Sequence, residues 1–131
     1  MTVEGLNHIN IVARNMDATA RFYAEVLGME VGTRPGVPAN YKGCWIHDTA
    51  GRPIVHVQHH NPERHGPVED HLQRMGALDH VALSCSGFDE VRARCEELGV
   101  PTRINDGNYG LRQIFVTDPD GVVLELNFGP D

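Results

Sequence analysis

The chain has 131 residues, enough for one domain or for two small modules sharing a core, and 40% of them are hydrophobic. Its formal charge is −7, from 11 basic and 18 acidic side chains with no basic cluster, which argues against a nucleic-acid partner. No apolar run is long enough to span a bilayer, and the opening MTVEGLNHIN lacks the parts of a secretion signal, so no membrane association and a cytoplasmic location are expected.

The first strand is expected over residues 6–13, LNHINIVA. A strand alternates its faces with period two, so His8 and Asn10 lie opposite Ile9 and Ile11. A helix follows, starting near Asn15 or Asp17, both good N-caps. Phe22, Val26 and Leu27 form its apolar stripe, with Thr19 and Tyr23 alongside, and Gly28 caps its C-terminus. Strands near 30–34, 41–47 and 53–58 come next, the last pair joined by a turn at DTAGRP. In PIVHVQ, His56 and Gln58 oppose Val55 and Val57. Residues 59–77 read as a polar linker with a helical turn around Glu69 to Met75. Its histidines, His59, His60, His65 and His71, read as solvated. A second strand–helix unit runs over 78–85 and 87–98, with Ser86 as cap, Asp89 completing a capping box, and Val91, Cys95 and Leu98 buried. In LDHVALS, His80 and Ser84 oppose Val81 and Leu83. Strands near 101–105, 111–117 and 121–128 close the chain. The three cysteines, Cys44, Cys85 and Cys95, are odd in number and unpaired in spacing, and read as reduced core residues.

The two halves repeat. Leu6 with Leu78, His8 with His80, and Asp17 with Asp89 recur at one constant spacing, and CWIHDTAG lies over IFVTDPDG. Each half therefore reads as a βαβββ module, residues 5–58 and 78–128 of a single α+β domain over 1–131. Trp45 and Phe115 share a repeat position and read as packing residues. In the closing DPDGVVLELNF, Val122, Leu124, Leu126 and Phe128 share one face, while Val123, Glu125 and Asn127 share the other. A carboxylate in mid-strand is costly to bury without compensation. Four strands thus have one apolar face and one face bearing His8, His56, His80 or Glu125. Two such sheets can cup these faces around a shared cavity, within one chain or in a homodimer. Imidazole and carboxylate suit Fe, Zn, Ni, Co or Mn. His8, His80 and Glu125 make a two-histidine, one-carboxylate set, with His56 as a fourth ligand or a base.

On the LNHINIV opening, the RFYAEVLGM helix end, the LDHVAL second opening and the DPDGVVLELNF close, nearly the whole chain resembles the vicinal oxygen chelate superfamily. That family includes glyoxalase I, extradiol dioxygenases, fosfomycin resistance enzymes, methylmalonyl-CoA epimerase and bleomycin-binding proteins. The resemblance implies paired βαβββ modules and a divalent metal ion held by His8, His56, His80 and Glu125. The second of these positions is usually Glu or Gln in glyoxalases and epimerases; here it is His56. The resemblance further implies an enzyme acting on a small oxygen-chelating substrate. A glyoxalase-like lyase or isomerase with His56 or Glu125 as catalytic base comes first. An extradiol-type Fe(II) ring-cleaving dioxygenase is an alternative, and a metal-free drug-binding module another. Asn10, Gln58, Tyr109 and Arg112 are the expected substrate contacts.

Overall fold

The computed structural model describes residues 1–33, 36–38, 40–69, 76–108 and 110–129. These fall into two compact units, Met1–Val68 and Glu69–Asp131, divided inside the polar linker. Each carries the expected strand–helix–three-strand order.

In the first unit, β1 (Ile9–Ala13) leads into α1 (Met16–Glu25), followed by β2 (Glu30–Gly32), β3 (Gly43–His47) and β4 (Pro53–His59). The sheet order is β1-β4-β3-β2, with β1 parallel to β4 and the other neighbours antiparallel. Asn15 caps α1 as expected, its side-chain oxygen accepting from the Ala18 amide at 3.0 Å. Gly28 follows with φ 67°, a left-handed conformation that glycine adopts without steric cost, and its amide bonds the Ala24 carbonyl. The buried stripe of this segment is Thr19, Tyr23 and Val26; Phe22 and Leu27, expected in the core, are only half-buried. Residues 19, 23 and 26 lie one or two turns apart on one face, which faces β2, β3 and β4. In the turn before β4, Asp48 accepts from the Ala50 and Arg52 amides and the Arg52 side chain.

Past β4 the linker is more ordered than its polarity implies. Asn61 caps a short helix, α2 (Pro62–His65), with proline in its first turn where the missing amide hydrogen is harmless. His60 is buried, not solvated, its ring 5.5 Å from that of His65. The helical turn expected at Glu69 to Met75, and His71 with it, falls almost wholly outside the described residues.

The second unit has β5 (Val81–Cys85), α3 (Phe88–Glu97), β6 (Arg103–Asn108), β7 (Leu111–Thr117) and β8 (Val123–Phe128) in the sheet order β5-β8-β7-β6. The capping expectation fails here. Gly87, at φ 75°, is the N-cap of α3, with no side-chain cap bond, so Ser86 and Asp89 form no capping box. The stripe shifts accordingly: Phe88, Val91 and Cys95 are buried, while Leu98 is exposed. Phe88 meets Phe128 edge-on at 5.3 Å. Strands β1 and β5 both begin three residues later than expected, and Leu6 and Leu78 are exposed. The core alternation holds: Val55 and Val57 in β4, and Leu124, Leu126 and Phe128 in β8, are buried. The three cysteines are free thiols, and burial raises the pKa of each above its ordinary value. No helix among the described residues is long and apolar enough to cross a membrane.

Candidate functional site

The four expected ligands fall into two pairs, one on the polar face of each sheet. In the second unit, His80 precedes β5, which pairs in parallel with β8. That register brings its ring to Glu125, with His80 Nε2 2.9 Å from Glu125 Oε2. Both side chains are held from behind. His80 Nδ1 donates to Asp79 Oδ2 at 2.7 Å, and Gln113 Nε2 donates to Glu125 Oε1 at 2.8 Å. Gln113 also donates to Asn127 Oδ1 and accepts from Asn105 Nδ2, each at 2.8 Å. The cross-strand register explains this chain: Gln113 stands opposite Asn127 and Asn105, and Phe115 stands opposite Glu125.

Two carboxylates facing one imidazole raise the His80 pKa, the Asp79 hydrogen bond first and the Glu125 charge after it, against the opposing effect of desolvation. In the protonated ring both nitrogens donate. The proton between Nε2 and Oε2 then stands where a cation would be shared. Two donor atoms each about 2.1 Å from one octahedral ion lie about 3 Å apart on adjacent vertices, close to the observed separation. A carboxylate on the remote nitrogen is also the usual orienting partner of a metal-bound histidine. His80 and Glu125 therefore fit as two ligands of a divalent ion.

The first unit repeats half of this arrangement. His8 Nδ1 donates to Asn7 Oδ1 at 2.6 Å, which leaves the lone pair on Nε2. Asn7 and His8 match Asp79 and His80 in the repeat. His56 is placed differently. Asn10 Nδ2 donates to its Nδ1 at 2.6 Å, so the neutral ring carries its proton on Nε2, which bonds the Tyr41 hydroxyl at 2.6 Å. Gln58 in turn donates to Asn10 Oδ1 at 2.8 Å. The His56 ring lies flat on Trp45, centroids 4.2 Å apart at 5°, and 6.2 Å from the His8 ring. Both nitrogens of His56 are thus engaged, and ligation or base catalysis there requires Asn10 or Tyr41 to move. Among the described residues, no group of three or more His, Cys, Asp or Glu side chains is gathered to hold a metal ion.

The expected substrate contacts divide. Asn10 and Gln58 stand on the polar face beside His56. Arg112 does not reach the polar face of its own sheet. It shares the parity of Ile114 and Val116, so it lies on the helix side, 3.6 Å over the Phe88 ring and paired with Asp106 and Asp89. Its role is to fasten α3 to β6 and β7. Tyr109 lies outside the described residues. Three residues on these faces, Tyr41, Gln113 and Arg103, lie outside the expected set of site residues. Tyr41 precedes its strand in a loop, and Gln113 and Arg103 owe their importance to register. Alternation alone could have found Gln113, because it shares the face of Phe115.

A model of the Glyoxalase/Bleomycin resistance protein/Dioxygenase superfamily matches residues 5–126. The chain is similar to Glyoxylase I 4 of Arabidopsis thaliana, at 27% identity over 129 residues, covering 92% of this chain and 68% of that protein. Its fold is similar to a glyoxylase/bleomycin resistance protein/dioxygenase domain from Frankia sp. EAN1pec, with a TM-score of 0.74 at 20% identity, covering 99% and 95% of the two chains. It is also similar to TnmS3, an antibiotic binding protein from Streptomyces sp. CB03234, with a TM-score of 0.68 at 19% identity, covering 98% of each chain. The doubled βαβββ order, the repeated histidine before each first strand and a sequence match running through both modules agree: this chain belongs to the glyoxalase/bleomycin resistance protein/dioxygenase superfamily.

Proposed function

We propose that this protein is a divalent-metal enzyme acting on a small substrate with adjacent oxygens, as a lyase or isomerase in the glyoxalase manner. The observation that carries the reading is the His80–Glu125 pair, 2.9 Å apart and braced by Asp79 and Gln113. His8, braced by Asn7, is the counterpart of His80 in the first unit. Such an ion supplies Lewis acidity toward the substrate oxygens. Glu125, with Oε1 held by Gln113, is the group that would take a proton next to the substrate carbonyl through its other oxygen, once that oxygen is displaced from the ion. His56, hydrogen-bonded to Asn10 and Tyr41 and stacked on Trp45, offers a contact surface on the first sheet and is not read as a metal ligand. The protein acts as a cytoplasmic homodimer.

The test is reconstitution of chelator-stripped protein with Fe(II), Zn, Ni, Co and Mn in turn. Stoichiometric binding is expected, lost in His80→Ala and in Glu125→Ala. No binding of any of the five ions removes the reading. Oxygen uptake with a catechol after Fe(II) loading moves the assignment to a ring-cleaving dioxygenase. A second reading, a metal-free binding module, is favoured by the aromatic stack of Tyr41, His56 and Trp45 on the first sheet. It expects tight binding of a flat drug that survives both chelator and Glu125→Ala.

A further inference from the structure

The polar face of the second sheet carries one arginine among its described residues, and the metal reading gives it no task. Arg103 opens β6 and pairs across the ladder with Phe115, which pairs in turn with Glu125. The row across the sheet is therefore arginine, phenylalanine, glutamate. The Arg103 guanidinium lies over the Phe115 ring, 3.9 Å from its centroid, and the His80 ring meets the same phenylalanine edge-on at 6.5 Å. Among the described residues, Arg103 makes no ion pair and no hydrogen bond. The contrast with Arg112 on the opposite face is plain, since that guanidinium is spent on Asp106 and Asp89.

Stacking uses the flat face of a guanidinium and leaves its N–H edge available. The phenylalanine fixes the plane, so less freedom is lost when the edge binds a partner. The edge matches a planar carboxylate, which it can hold with two parallel hydrogen bonds. One positive charge in a chain of net charge −7, on the face that bears Glu125, favours a singly charged oxyanion over a doubly charged phosphate. We propose that Arg103 is a specificity-determining residue that binds a carboxylate on the substrate. This carboxylate is remote from the oxygens directed at His80 and Glu125, and lies roughly 5–10 Å away, one to two strand spacings. The proposal rests on the metal-enzyme reading for the orientation of the substrate, and on Arg103 alone for the charge preference.

The experiment uses the full chain, metal-loaded and chelator-stripped, with three probes: 2-oxobutyrate, 2-oxoglutarate and 4-phosphono-2-oxobutyrate. Calorimetry gives affinities, and the Arg103 side-chain Nε–H signal in the NMR spectrum reports contact. The metal-loaded protein is expected to prefer 2-oxoglutarate to 2-oxobutyrate by about five- to tenfold at low ionic strength, with movement of the Arg103 signal. Arg103→Gln is expected to remove the preference while leaving 2-oxobutyrate binding unchanged. Arg103→Lys, which keeps the charge but not the fork, is expected to restore only part of it. Equal affinity for 2-oxobutyrate and 2-oxoglutarate in the wild type overturns the proposal, as does a preference that survives Arg103→Gln. Tighter binding of the phosphonate overturns the assignment to a carboxylate. Loss of metal dependence with the Arg103 preference intact refutes the metal reading instead, so the two failures are told apart.

Discussion

Replacing Gln113 by leucine tests whether the polar network behind Glu125 is a built support. The change keeps the side chain's approximate size and removes three hydrogen bonds: the donations to Glu125 Oε1 and Asn127 Oδ1, and the acceptance from Asn105 Nδ2. A bond to a charged group contributes about 1.5–3 kcal/mol and a neutral one about 0.5–1.5 kcal/mol. The three sites are only partly buried, and water replaces some of what is lost, so the lower ends apply, and the expected loss is about 2–3 kcal/mol. With a urea slope of about 1.5–2 kcal/mol per molar, the unfolding midpoint falls by about 1–2 M. A second readout separates support from mere stability. A ligand that loses its orienting partner binds metal about 10–100-fold more weakly, so Gln113→Leu lowers metal affinity at urea-free conditions where the protein is fully folded. An unchanged midpoint together with unchanged metal affinity refutes the view that Gln113 holds Glu125 in place.

Three further outcomes are expected. A Cβ at Gly43 would collide with the Tyr41 ring and come within 3.0 Å of the Val57 carbonyl oxygen, so Gly43→Ala displaces Tyr41 and breaks its bond to His56. The low-field His56 Nε2–H signal should disappear, and the emission of Trp45, the single tryptophan, should change with the ring stacked on it. For His80, the folded pKa is raised, so its contribution to stability is complete below the unfolded value of about 6.5 and is lost as pH rises through the folded value. Asp79→Asn removes the largest cause, and the His80 titration followed by NMR should move down; no movement refutes the assigned cause. Asn15→Ala should cost about 1 kcal/mol in thermal or urea unfolding, through loss of the bond to the Ala18 amide, whereas Ser86→Ala should cost less than about 0.5 kcal/mol because Gly87 is the cap there.

What the sequence determined by itself was whatever repeats locally. Period-two alternation assigned Val55, Val57, Leu124 and Leu126 to the core and Glu125, Asn127, His56 and Gln58 to the other face, because a strand's side chains have only two directions to take. The duplicated opening located both histidines and, with them, the module order. Helical faces were less legible: the stripe fell on Tyr23 rather than Phe22, and on Phe88 rather than Leu98, since a surface helix offers several adjacent apolar stripes and the sheet beneath selects among them. Parity already placed Arg112 on the face of Ile114 and Val116, a local signal present in the sequence. The tertiary structure alone decided the partners. Gln113 meets Glu125, Arg103 covers Phe115, and Tyr41 reaches His56 only because strands distant in the chain pair in one register and a glycine leaves room for a ring. Hydrogen bonds and stacking are contacts between specific atoms, and their pairing is set by that long-range register, which no local pattern encodes.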